Sequence, residues 1–198
     1  MGEKIGISGP DANSTLSIKY EDVFNLKELY KAVRDWLISN DYVTAKSSEN
    51  MEKFYLEKLS PSGVKEIWVW WRTARAPHGS KYFKYHMNVD FHVLGLKDIE
   101  VMHQGQKIKA NKGEVEVMIN CFLELEAEFE FRKSFIGMIG GSLLANRFRK
   151  RMYKKQVDAH KPDLKEDMVK LQAFIKEFLE LKSFLPKSEQ FYPARGLG

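Results

Sequence analysis

The feature of this 198-residue chain with the clearest chemical meaning is a run of cations. Residues 132–155 hold Arg132, Lys133, Arg147, Arg149, Lys150, Arg151, Lys154 and Lys155, eight bases with no acid. The formal charge of the whole chain is +5, so the rest sums to −3. Directly before this run, 114–130 holds six Glu and no base. Charge is thus segregated by sign along neighbouring segments. Three partners suit the bases. The Glu-rich neighbour can neutralise them. An anionic membrane can hold them while Phe135, Ile136, Met138 and Ile139 insert alongside. Nucleic acid can bind them through its phosphates. Arg147, Arg149, Lys150, Arg151, Lys154 and Lys155 are the expected anion-binding residues. The net excess by itself is too small to imply nucleic acid.

Other reactive side chains point to less. His86 and His92 share one side of an alternating stretch, about 20 Å apart, too far to share one metal ion. Glu124, Glu126, Glu128 and Glu130 form a ladder with about 7 Å between neighbours. Such a row is expected to be solvated and paired with cations across the sheet. Cys121 is the only cysteine, so an intrachain disulfide and a cysteine-built zinc site are excluded. It falls on an apolar side and is expected to be a buried structural thiol. There is no nucleophile elbow, phosphate loop, zinc-protease helix or dinucleotide fingerprint. No catalytic residue, metal or cofactor is therefore assigned, and a non-enzymatic role is expected. In the run 68–71, Trp71 is expected to be buried with Ile67 and Val69. Trp68 and Trp70 then face outward in part, as an interface.

The elements that position these residues follow from periodicity. Residues 14–23 alternate as a strand, with Leu16, Ile18 and Tyr20 on one side. Asn25 with Glu28 is a capping-box pair, and Phe24 with Leu29 a hydrophobic staple. They open a helix carrying Val33, Trp36 and Leu37 and stopping at Asn40. Strands are predicted over 51–59, 64–74, 82–94 and 98–110, the fourth with a fold on itself at Gln104-Gly105 as its alternative. Gly95 is read as a break, and Asn111-Lys112-Gly113 as a hairpin turn. The alternation Val115, Val117, Ile119, Cys121, Leu123, Leu125, Ala127, Phe129, Phe131 predicts one long curved strand over 114–131. Residues 135–158 read as a basic helix, interrupted at Lys161-Pro162. A second capping pair, Asp163 and Glu166, then opens a C-terminal helix with the stripe Leu164, Met168, Leu171, Ile175 and Leu179.

The predicted fold is α+β: a curved antiparallel sheet of about six strands against a long C-terminal helix, with an N-terminal helix after strand 1 and an extra basic helix. A single domain spans 1–198, with its ordered core at about 14–185 and a tail at 187–198. The order of elements over 14–185 resembles the helix-grip superfamily, which includes START and Bet v1-like domains. The resemblance implies an apolar cavity between sheet and helix, here bounded by Phe83, Tyr85, Met87, Phe91, Leu123, Leu125 and Phe129. It implies binding of a lipid or another apolar small molecule. Peripheral docking on an anionic membrane is the companion expectation, and nucleic-acid binding through 132–155 or protein interaction through the Trp strand are the alternatives. Met1–Pro10 lacks the pattern of a secretory signal, and no run of 18 apolar residues exists, so a cytoplasmic location is expected.

Overall fold

The computed structural model describes residues 3–6, 15–43, 50–77, 83–103, 106–125 and 143–182. Its elements are β1 (Glu3–Gly6), β2 (Thr15–Phe24), α1 (Leu26–Ser39), β3 (Glu52–Leu59), β4 (Lys65–Arg75), β5 (Phe83–His103), β6 (Gln106–Leu125) and α2 (Leu143–Lys182). The protein is α+β, as expected, with an antiparallel curved sheet and one helix at the C-terminal side. The strands lie in the order β1-β6-β5-β4-β3, and β2 also pairs with β6. β1 and β2 occupy successive lengths of the same edge of β6, so the sheet is five strands wide.

The spine is the hairpin of β5 and β6, paired from Phe83 opposite Leu125 to His103 opposite Gln106. The stretch 98–110 is therefore folded on itself, with His103 and Gln106 paired, as the alternative has it. The single strand over 98–110 and the turn at 111–113 are corrected. The turn-like residues have other causes. Gly95 takes φ +66° where the β5–β6 register shifts between Leu94 and Lys97. It bends β5 through a bulge instead of ending it. Across from that bulge, a Cβ on Gly113 would lie 2.9 Å from the Leu94 carbonyl oxygen, so only glycine fits. Asn111 accepts from the Leu26 backbone N–H (3.1 Å) and donates to Asp98 (2.7 Å). It serves as a tertiary cap of α1.

Alternation decides which face is buried. Val115, Val117, Ile119, Cys121 and Leu123 of β6 face inward and are buried, as are Phe83, Tyr85, Met87, Val89, Phe91 and Val93 of β5. Both helices cover this face. α1 brings Leu29, Val33 and Leu37 into the core. Asn25 caps it by accepting from the Glu28 N–H at 3.1 Å, and Asn40 ends it. The Glu28 carboxylate bonds Lys31 at 3.3 Å, so only half of the expected capping box forms. α2 buries Val157, Leu164, Met168, Leu171, Ile175 and Leu179.

Among the described residues the basic segment does not form a separate helix. α2 runs unbroken through Pro162, and the capping pair at Asp163 and Glu166 is replaced by helix. Pro162 is exposed, as is Asp158, whose carbonyl loses its helical donor because proline has no N–H. The apolar stripe keeps its phase from Val157 to Leu179, so packing holds the helix together where local propensity would end it. Three further predictions fall partly or wholly outside the described residues: strand residues 126–131, helix residues 135–142, and the tail 187–198.

Candidate functional site

α1 does not seal the sheet along its whole length. At the end where α1 begins, an open groove of about 500 Å³ lies between the helix and strands β3, β4 and β5. Its floor is Ile67 and Val69 of β4 with Phe91, Val93 and Leu96 of β5. Leu26 and Tyr30 of α1 form one wall, and Tyr55 of β3 the other. One bulge in β5, around Gly95, explains its position. The β4–β5 register shifts between Lys65 and Ile67, and the β5–β6 register between Leu94 and Lys97. The extra residue of β5 shifts its register against both neighbours, which increases twist and bends the strand at this point.

The rim is charged. Lys65 lies 3.3 Å from Glu57 and 3.9 Å from Asp98. Lys31 pairs with Glu28, whereas Lys27 makes no ion pair among the described residues. Deeper in, the Tyr30 hydroxyl donates to Glu52 at 2.5 Å. Burial, then that carboxylate, push the Tyr30 phenol up to about 12. Tyr30 also stands edge-on to Trp71, with ring centres 4.6 Å apart. An apolar floor with a few fixed polar groups at its mouth is the usual build of a small-molecule site.

A second cluster sits under α2. Asp167 accepts from the Tyr42 hydroxyl at 2.7 Å and from the Arg75 guanidinium. That guanidinium lies over the rings of Tyr42 (4.9 Å) and Tyr85 (5.4 Å). The Tyr85 hydroxyl is 2.7 Å from His160 Nδ1. Burial first, and then the Asp163 carboxylate, raise the Tyr85 phenol to about 12. Burial and the Asp167 carboxylate push Tyr42 far above its ordinary value. Both phenols therefore stay protonated at neutral pH, and Tyr42 donates to Asp167. Cys121 is fully buried and its thiol is pushed up by burial, which leaves no thiolate for attack. The cluster fixes α2 against the link after α1 and the ends of β4 and β5.

The outer face of the sheet carries the remaining predicted residues. Trp71 is buried with Ile67 and Val69, Trp68 is half-buried and Trp70 is 42% exposed. Trp70 stacks on Phe54 at 4.3 Å, and Trp68 on His92 at 5.0 Å with Lys58 over its other side. His86 pairs with Glu124 (2.6 Å) and His92 with Glu66 (3.1 Å). Among the described residues no group of His, Cys, Asp and Glu can hold a metal ion.

Of the expected cavity residues, Phe91 lines the groove. Phe83, Tyr85, Met87 and Leu123 lie in the closed core, with the Phe83 ring 4.5 Å from His160 of α2. The Leu125 side chain and Phe129 lie outside the described residues. Lys154 and Lys155 are exposed on α2. Arg147, Arg149, Lys150 and Arg151 fall in the same helix, but their side chains lie outside the description, as do Glu126, Glu128 and Glu130. Sequence reasoning missed Leu26, Tyr30, Val69 and Leu96 as groove residues, and Asp167 and Arg75 as a pair. The available signals were Gly95 as a bulge and an aspartate beside the apolar stripe of α2. No protein-family model matches the chain, and no curated protein is similar to it.

Proposed function

We propose that the protein is a non-enzymatic binder of an apolar small molecule or lipid, seated in the groove between α1 and the sheet. The reading rests on one observation: about 500 Å³ of open space over an apolar floor, with lysines at its mouth. That volume is within the range of ligand sites. The helix-grip resemblance supports the same class of ligand but would place it deeper, beneath α2. Docking on an anionic membrane through 143–155 would bring the protein to a source of such ligands. No helix among the described residues is long and apolar enough to cross a membrane.

Native mass spectrometry of freshly purified protein is the first test, with an adduct of lipid size expected. Leu26→Trp is the second. It extends one wall over the floor without touching the cap bond made by the Leu26 N–H. A fluorescent fatty acid should then bind at least about tenfold more weakly, a loss of about 1.4 kcal/mol, with the melting temperature unchanged. Sedimentation with vesicles rich in phosphatidylserine tests the membrane part. Absence of any adduct, together with equal fatty-acid binding by wild type and variant, would overturn the ligand reading.

A further inference from the structure

The strand β3 ends the sheet, and among the described residues nothing pairs with its outer side. Such an edge offers a row of unmatched N–H and C=O groups to any second strand. Its side chains are unusually apolar for a position facing water. Tyr55 is 51% exposed on the groove side, Leu59 is 66% exposed, and Leu56 is 37% exposed on the outer face, where Trp70 of the next strand also lies. Edges that only need protection carry like charges, commonly Lys, which repel a second copy. The sequence here, Glu52-Lys53-Phe54-Tyr55-Leu56-Glu57-Lys58, does the opposite when laid antiparallel on itself.

The β3–β4 register shifts between Glu52 and Phe54, so Lys53 is the extra residue of a bulge and the regular run of β3 is 54–59. With Tyr55 on a two-fold axis, Lys53 comes nearest Glu57, and Phe54 stands opposite Leu56. Each pair then occurs twice. Residues opposite one another in an antiparallel ladder are close enough to interact, and both kinds of pair are favourable. Neighbouring registers lose this match. Centring on Leu56 sets Glu57 against Tyr55 and Phe54 against Lys58. Centring on Glu57 sets two carboxylates against each other. Only the Tyr55-centred register satisfies charge and apolar contact at once.

We propose that β3 is a homodimer interface, joining two copies edge to edge into one continuous sheet with Tyr55 at the two-fold axis. The inference is independent of the ligand reading. It also has a consequence for the groove, since Tyr55 and Glu57 line it. Pairing would set a second copy's Tyr55 beside the wall of each groove, and its Glu57 beside Lys53.

Charge exchange tests the register. Lys53→Glu and Glu57→Lys are made as separate full-length variants, with circular dichroism to confirm folding. Wild type is expected to sediment as a dimer at low salt. Each variant alone should dissociate at least about tenfold more readily, because two attractive pairs become repulsive. An equal mixture of the two should dimerise again, since the carboxylate introduced in one chain then meets the ammonium introduced in the other. If Glu57→Lys fails to fold through loss of its contact with Lys65, Lys53→Glu alone decides. A monomeric wild type, a dimer indifferent to Lys53→Glu, or folded variants whose mixture stays monomeric would each overturn the proposal.

Discussion

Val117→Asp is expected to unfold the protein or come close to it. Val117 is wholly buried in the middle of β6, opposite Phe91 on one side and Ile18 on the other. The substitution removes about 1.5 kcal/mol or more of apolar burial. It also places a carboxylate where no cation or donor faces it, which costs several kcal/mol more. A total above about 4 kcal/mol compares with about 5–15 kcal/mol for the whole stability of an ordinary domain. Glu116→Gln, one residue away, should change stability by less than about 0.5 kcal/mol. Glu116 is on the outer face, where it accepts from the exposed Ser17 hydroxyl at 2.7 Å. Urea denaturation of both variants measures the contrast. Equal and small losses would contradict the assignment of odd residues to the core.

Asp167→Ala is expected to cost about 3 kcal/mol, the scale for breaking one side of a buried ion pair. Asp167 is 7% exposed. Its removal leaves the Tyr42 hydroxyl without its acceptor and the Arg75 guanidinium without its counter-charge. Arg75 Nε already lacks a hydrogen-bond partner, and the contacts that remain, Nη1 to the Asn40 carbonyl at 3.3 Å and the rings of Tyr42 and Tyr85, carry no negative charge. The companion measurement is a double-mutant cycle with Arg75→Ala. The double variant should be at least about 1 kcal/mol more stable than the sum of the two single losses, because it leaves no uncompensated charge. Additive losses would mean that the two residues stabilise the protein separately.

Most of the fold follows from patterns visible in the chain. Strict alternation at 115–123 and 83–93 identified the inner faces, because a strand has one buried side here. The α1 boundaries were legible because Asn25 and Asn40 act locally. What misled were residues whose reasons are non-local. Gly113 and Asn111 look like a turn, but one admits the Leu94 carbonyl and the other caps a helix far away in sequence. Pro162 looks like a stop, yet tertiary packing carries α2 across it. β1 was not anticipated, since four residues give too short a pattern to read. The groove was legible only in part for the same reason. Its floor reads as ordinary core, and its opening depends on two register shifts that no periodicity reveals. The Asp167–Arg75 pair joins positions 92 residues apart, beyond the reach of any local rule.

The way β6 is shared between its neighbours also orders the events of folding. On one side it meets β5 across a link of two residues, and the contacts can close one after another from that link. On the other it meets β2, where Ser17 and Glu116 are 99 residues apart. Closing a chain loop costs more entropy as it lengthens, by about 0.6 kcal/mol for each doubling. The β5–β6 and β3–β4 hairpins should therefore form early, and β2, carrying α1 with it, and β1, which pairs with the far end of β6, should add late. Pulse-labelled hydrogen exchange during refolding should show amides of 83–94 protected before those of 15–24, and the reverse order would refute this sequence of events. Until β2 arrives, the newly made hairpin presents a long unpaired edge of β6 to its surroundings, so this late closure is also the step in which the chain is most open to mispairing.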